Sequence, residues 1–472
     1  MSSDDLPAPC AALFPDVATR RRVEDLLTGE LLRATERVVC GPVMPTLDRA
    51  ALRAELARFD FQTPRPIEEL LAWAIAKMEV GVVHMNNPRY FGLFNPSPTF
   101  PAQCADRIAG AFNPQLASSG SSPAPIEIEA HVIRTMAQRA GLPTEAGGHF
   151  TVSGAEANFT SLVCAMTRAE PRFGLDGVRA FSGPVAFYAS QASHQTWYKI
   201  AHQAGAGRSA LRLVATDGKG RMDPRALEQA LRSDRAQGLV PVLVAATAGT
   251  TTAGMIDPLT KCGEIARVNG LWYHVDAAWG GAALASERLR ELLGGIELAD
   301  SITIDAHKWF ATTMGCGMFL TRHPKLLSET FRTTTSFMPS ELTGLDPYLN
   351  SVQWSRRFMG LRLFLALGAA GWSGYAAHVE RATAVTGYIR RRLLERGWTV
   401  ANDSPLAVLC VLPPPGSVAV REIVQRVLAT GQAWVAPAAF EGRDVVRICA
   451  THGETSRQDT DVLVNALQQA AR

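Results

Sequence analysis

No two of the eight cysteines lie closer than 30 positions, so the chain has no CxxC pair for a metal or a dithiol centre. A charge-free apolar run of the ~18 residues that a membrane-crossing helix needs is also missing. The nearest candidate, residues 360–377, carries Arg362 and four glycines and reads as a core helix. There is no apolar segment of the secretory type, so the expectation is a cytoplasmic protein with reduced thiols and no membrane partner. Nor does one sign of charge dominate. The 47 Lys and Arg against 44 Asp and Glu leave +3, scattered along the chain. That gives no electrostatic case for nucleic acid, and the basic run at 20–22 reads as a solvated helix face. No internal repeat and no GxxxxGK[ST] spacing is found.

What is present is a globular composition, 47% hydrophobic and 19% charged, over 472 residues, enough for two or three domains. In "RRVEDLLTGELLRATERVV" and "PIEELLAWAIAKMEVGVV" apolar residues recur at three- and four-residue spacing, predicting helices. These helices belong to an amino-terminal part, 1–85, too apolar on its exposed stripes to stand alone. Next come "GPVAFYAS", "LVPVLVAATAG", "GLWYHVDAA" and "SITIDA", short apolar runs separated by helical patterns. That alternation predicts an α/β domain, 86–375, with a mostly parallel central sheet covered on both faces. A helix, "AAHVERATAVTGYIRRRLLERG", opens a smaller carboxyl-terminal α+β domain, 376–472, with strands near "AVLCVLP" and "DVVRICA".

In an open parallel sheet, ligands gather outside the carboxyl ends of the strands. Four stretches place reactive residue types there. "HFTVSGAEANFTSLVCAM" runs a short strand into Ser153 and Gly154 and starts a helix near Ala155, a cradle for an anion. "YASQASHQTWYK" brings His194, and "AATAGTTTAGMIDP" brings Gly249, hydroxyls at 250–252 and Asp257. "WYHVDAAWGGA" ends an apolar strand on Asp276, a carboxylate that needs a cationic partner, beside alanines that leave room for a flat object. Taken singly, each also reads as an ordinary turn or a surface residue. "SITIDAHKWFA" then delivers Lys308 after a buried strand, where Trp309 and Phe310 are expected to wall it in. An anion cradle, a buried carboxylate and a desolvated lysine on separate strand ends suit pyridoxal 5'-phosphate. Burial would lower the lysine's pKa toward the neutral amine that attacks an aldehyde.

The set "SGAEAN", "ASHQ", "HVDAAWGG" and "DAHKW", with "NNPRYFGLF", "SPAPIEIE" and "SRRFMGLRL", resembles the group II pyridoxal-phosphate-dependent amino-acid decarboxylases, which include the aromatic-L-amino-acid, histidine and glutamate enzymes. The resemblance covers nearly the whole chain. It implies the PLP-dependent transferase fold type I, an aminotransferase-like architecture, in a homodimer whose amino-terminal helices embrace the partner. Lys308 would carry the cofactor covalently, Asp276 would pair with its ring nitrogen, and Ala278 and His194 would lie on the two ring faces. Ser153, Gly154 and Ala155 would hold the phosphate, with Asp305 and His307 lining that region and Thr251 near the ring substituents. Tyr348, eight positions before Arg356, matches a family loop tyrosine thought to protonate Cα. The prolines, threonines and serines around it suggest a closing lid. No metal is implied.

This chain departs from the family at Asn86 and Asn87, at Ala306, and in "QLASSGSSPAP", where the aromatic-amino-acid enzymes place bulky residues. The implied reaction is decarboxylation of an L-amino acid to its amine, a step in amino-acid metabolism. Three alternatives stay open: decarboxylation-coupled oxidative deamination to an aldehyde, a carbon–carbon lyase acting on a phosphorylated amine, and a non-catalytic partner subunit. The joint presence of Lys308, Asp276 and His194 argues against the last.

Overall fold

The apolar runs become strands buried on both faces because helices cover both sides of the sheet. In this computed structural model, which describes residues 9–333 and 346–472, seven strands form the large sheet. They are β1 (Gly147–Thr151), β2 (Val185–Ser190), β3 (Leu211–Val214), β4 (Val240–Thr247), β5 (Trp272–Asp276), β6 (Ser301–Asp305) and β7 (Gly317–Thr321), in the order β1-β7-β6-β5-β4-β2-β3. Only β7 runs against its neighbours. Every residue of β5 and β6 is buried. Ile302 and Ile304 face one core with Val275 and Met318, while Trp272 joins Phe187 and Phe319 in the other.

β3 and β7 are not apparent in the sequence pattern. They are short, and antiparallel β7 has no crossover helix to announce it. A second sheet contains β8 (Thr399–Val400), β9 (Val408–Leu412), β10 (Ala436–Phe440) and β11 (Arg443–Cys449), in the order β10-β11-β9-β8 and antiparallel throughout. The helix expected to open this part begins earlier, at Gly360, and runs to Leu394. Position 375 therefore falls inside it, just after a break at Gly371, whose φ of 62° a side chain would oppose. Among the described residues no helix is long and apolar enough to cross a membrane.

The amino-terminal helices are Val17–Cys40, Arg49–Leu56 and Ile67–Gly81. The last is strongly apolar yet buries no residue, and Phe61 is 90% exposed. Two of the departures from the family pattern have local reasons. Asn87 is fully buried and its amide donates to the carbonyls of Val38 (2.9 Å), Val39 (3.3 Å) and Gly41 (3.2 Å), closing the end of the first helix. Ala306 donates its N–H to the Cys316 carbonyl at 2.7 Å, a bond that a proline could not make.

Asp257 secures the turn after β4. One carboxylate oxygen accepts from Met222 N at 2.7 Å and the other from Thr247 N at 2.8 Å. Burial pushes its pKa up to about 6, so above that pH it is an acceptor at both ends. Asp257→Asn sets an NH₂ against one of these N–H groups. Urea unfolding of the variant at pH 8 is expected to show a loss of about 2 kcal/mol, the cost of an unsatisfied buried donor.

Candidate active site

Parallel pairing aligns Thr247 with Asp276 and Asp276 with Thr303, so three strands end level and β6 delivers Asp305 two residues further on. Around these ends lies a cavity of about 240 Å³. Ser153, Gly154, Ala155, His194, Thr251, Asp276, Ala278, Asp305, His307 and Lys308 all line it, joined by Phe94, Asn158, Thr196, Thr247, Gly249 and Trp279.

Lys308 sits on a tight turn in which its N–H bonds to Asp305 O at 3.1 Å. Its Nζ lies 3.0 Å from Asp305 Oδ2, and the side chain is 22% exposed, only partly desolvated. The aromatic wall differs from the sequence expectation. The ring beside the amine is Phe94, its centre 6.0 Å from Nζ. Trp309 instead stacks on Trp279 (5.2 Å between centres, 13° between planes), and Phe310 meets Tyr375 edge-on, both wholly buried in the core. His307 accepts from Cys316 N at 3.2 Å through Nδ1 and brings Nε2 within 3.8 Å of Asp305. Burial holds its pKa below the ordinary imidazole value, although the Asp305 charge works the other way.

Asp276 is 6% exposed, and its two protein partners are neutral donors, Asn158 Nδ2 at 2.8 Å and Ala278 N at 3.1 Å. Buried carboxylates of this kind cost several kcal/mol unless a cation completes them. His194 stands at the cavity mouth, where Nδ1 receives the Thr196 N–H at 3.1 Å. Desolvation keeps its pKa low, with the Asp276 charge opposing and the Lys308 charge reinforcing.

The helix Gly154–Ala169 points its amino terminus at the cavity. Ser153 caps it in an extended conformation without a side-chain bond, and the first N–H groups have no acceptor within the helix. At Gly154 a Cβ would stand 2.9 Å from Asp305 Oδ2 and 3.2 Å from the Ala278 methyl, filling the cradle. Gly154→Ala is therefore expected to fold normally and to retain less than about a tenth of the wild-type cofactor content. The loss of one strong anion contact, about 1.5–3 kcal/mol, accounts for that size. Protein-bound absorbance after gel filtration checks it.

These residues fit pyridoxal phosphate: an amine, a buried acceptor lacking a cation, small residues beside a flat space, and free N–H groups for a phosphate. Tyr348 does not join them. It is buried, its ring 5.3 Å from that of Trp354 and its N–H on Ala117 O at 3.2 Å. Residues 334–345 of the expected lid lie outside the described residues.

Three functional candidates escaped the sequence reading. Asn158 and His274 form a buried path to Asp276, and the signal was available, since polar residues inside apolar elements are rarely idle. Arg447, on β11, donates to Thr251 O (3.0 Å), Thr252 O (3.1 Å) and Gly92 O (2.5 Å) and lies 4.4 Å from the Phe94 ring centre. It braces the cavity wall from the second sheet. Nothing in "DVVRICA" announces that.

Comparison with known proteins agrees with this geometry. The model of the pyridoxal-dependent decarboxylase conserved domain matches residues 54–410. Tryptophan decarboxylase 2 of Oryza sativa subsp. japonica is 25% identical over 450 residues, spanning 91% of this chain and 90% of that protein. The 4-hydroxyphenylacetaldehyde synthase of Rhodiola rosea is 25% identical over 447 residues, with the same two shares. Among solved structures, Oryza sativa TDC with PLP and tryptamine superposes with a TM-score of 0.90 at 25% identity, covering 97% of this chain and 98% of that one. Mouse CSAD in apo form gives 0.90 at 25%, covering 97% and 100%. The match over residues 54–410, with these solved structures, shows that the chain belongs to the pyridoxal-dependent decarboxylases of group II, fold type I enzymes that use pyridoxal phosphate.

Proposed function

We propose that this protein decarboxylates an L-α-amino acid to the corresponding amine. The observation that carries the reading is the convergence of Lys308 and Asp276 on one cavity, each from the end of a parallel strand. When bound, pyridoxal phosphate supplies the electron sink for the charge left on Cα as CO₂ departs. Lys308 would hold the cofactor through its amine. Asp305, 3.0 Å from Nζ, keeps that group turned into the cavity. Asp276 keeps a proton on the ring nitrogen. Ser153, Gly154 and Ala155 take the phosphate, and Thr251 borders the ring substituents. Ala278 and His194, which line the same cavity, would help hold the cofactor and orient the substrate. Phe94 and Trp279, stacked at 4.5 Å, exclude water.

A second copy completes the site in this reading. The exposed apolar side chains of the amino-terminal part, Phe61 and Met78 among them, support a homodimer. Tyr348 would act as the acid at Cα in the partner's cavity, since it does not line its own. Tyr348→Phe is expected to cut amine formation by about a hundredfold, the scale of one positioned acid, and to raise aldehyde and ammonia under air. Unchanged amine yield would remove it from the mechanism and leave it a packing residue against Trp354.

The Rhodiola relative, named an aldehyde synthase, favours a second reading in which the same scaffold yields aldehyde. One experiment separates the two: CO₂ release across the amino acids, with amine, aldehyde, ammonia and peroxide measured under air and under nitrogen. Absence of CO₂ from every amino acid would sink both.

A further inference from the structure

Behind Asp276 runs a chain of buried hydrogen bonds that reaches Trp272 and is oriented by the carboxylate, which accepts from Asn158 Nδ2. The Trp272 indole can only donate, and Nε1 meets Ser301 Oγ at 2.8 Å. Ser301 Oγ also stands 2.8 Å from His274 Nδ1. Burial drives the His274 pKa down to about 4, so the ring is neutral, and the Asn158 amide oxygen opposite Nε2 is an acceptor that places the one ring proton there. That N–H faces Asn158 Oδ1 at 3.0 Å, and the Thr303 hydroxyl donates to the same oxygen at 2.7 Å. With two donors on its oxygen, the Asn158 amide must present Nδ2 to Asp276 Oδ2, at 2.8 Å.

The fold builds this path from three elements. Trp272, His274 and Asp276 alternate onto one face of β5, and the pairing of His274 with Ser301 and of Asp276 with Thr303 sets the β6 hydroxyls beside them. Asn158 comes from the helix Gly154–Ala169. Asn158 is 2% exposed, and His274, Ser301 and Thr303 are fully enclosed.

We propose that Asn158, and His274 acting through it, are positioning residues that lock the Asp276 carboxylate with its free lone pairs toward the cofactor ring nitrogen. The inference rests on the role given to Asp276 above. With Asn158 on Oδ2 and the Ala278 N–H on Oδ1, the carboxylate cannot rotate. Loss of the amide donor frees it and leaves one oxygen buried and unpaired.

The test compares Asn158→Asp, His274→Gln and His274→Phe with wild type. It follows the rate at which each holoenzyme loses pyridoxal phosphate on dilution and the absorbance maximum of the bound cofactor. Asn158→Asp keeps the shape but turns an acceptor toward Asp276. It is expected to lose cofactor about 10- to 100-fold faster, the range found when a supporting partner of a ligand is removed. Its absorbance maximum should shift, while KM at saturating cofactor stays near wild type and kcat falls. His274→Gln retains a donor and an acceptor and should hold cofactor like wild type. His274→Phe retains only ring volume and should behave like Asn158→Asp. A role in packing alone reverses that order, with phenylalanine tolerated and glutamine not, and overturns the proposal. If His274→Phe does not fold, Asn158→Asp decides: wild-type retention there overturns the proposal. Wild type without cofactor on Lys308 would instead defeat the functional reading. Wild type loaded on Lys308, with all three variants equally loaded, would defeat only the positioning of Asp276.

Discussion

Lys308→Ala is expected to lower CO₂ release by about a thousandfold or more, because among the described residues no other amine lines the cavity to hold the cofactor. The variant should remain folded. Lys308 is partly exposed and pairs with Asp305, so the loss of packing is small. The change does leave the Asp305 carboxylate, 3% exposed, without its cation, which should cost some stability. Borohydride treatment of wild type, followed by peptide mapping, should find the cofactor on Lys308. Label on another lysine, or undiminished turnover in Lys308→Ala, would refute the assignment.

Asp276→Asn is expected to reduce turnover by about two decades, roughly the 3 kcal/mol cost of breaking a buried charge pair. Two effects act together. An amide cannot keep a proton on the ring nitrogen. The two protein groups that now meet the carboxylate, Asn158 Nδ2 and Ala278 N, are both donors, so the new NH₂ must oppose one of them. Cofactor should also be lost faster. Full cofactor occupancy with unchanged kcat would contradict the role of Asp276.

The chemistry of the site was legible because strand-end residues are a local feature. Asp276 and Lys308 each close a run of buried apolar residues, and a charge in that position has few structural explanations. The turn of small residues that starts the helix at Gly154 beside the cavity was legible for the same reason. Trp309 and Phe310 misled because adjacency along the chain does not set the direction of a side chain. The turn at 305–308 sends them into the core, and Phe94 arrives from a distant segment to stand beside the amine.

Alternation of apolar runs with helical spacing, a property of each segment by itself, determined the parallel α/β plan and placed the lysine and the carboxylate at strand ends. Which groups then meet was decided only in three dimensions. The register of β5 on β6, together with the helix that carries Asn158, brings the path from Trp272 to Asp276 into contact. Arg447 reaches the cavity wall from the other sheet. Hydrogen bonds of this kind depend on ångström-scale separations between residues far apart in sequence, and no periodicity along one chain encodes them.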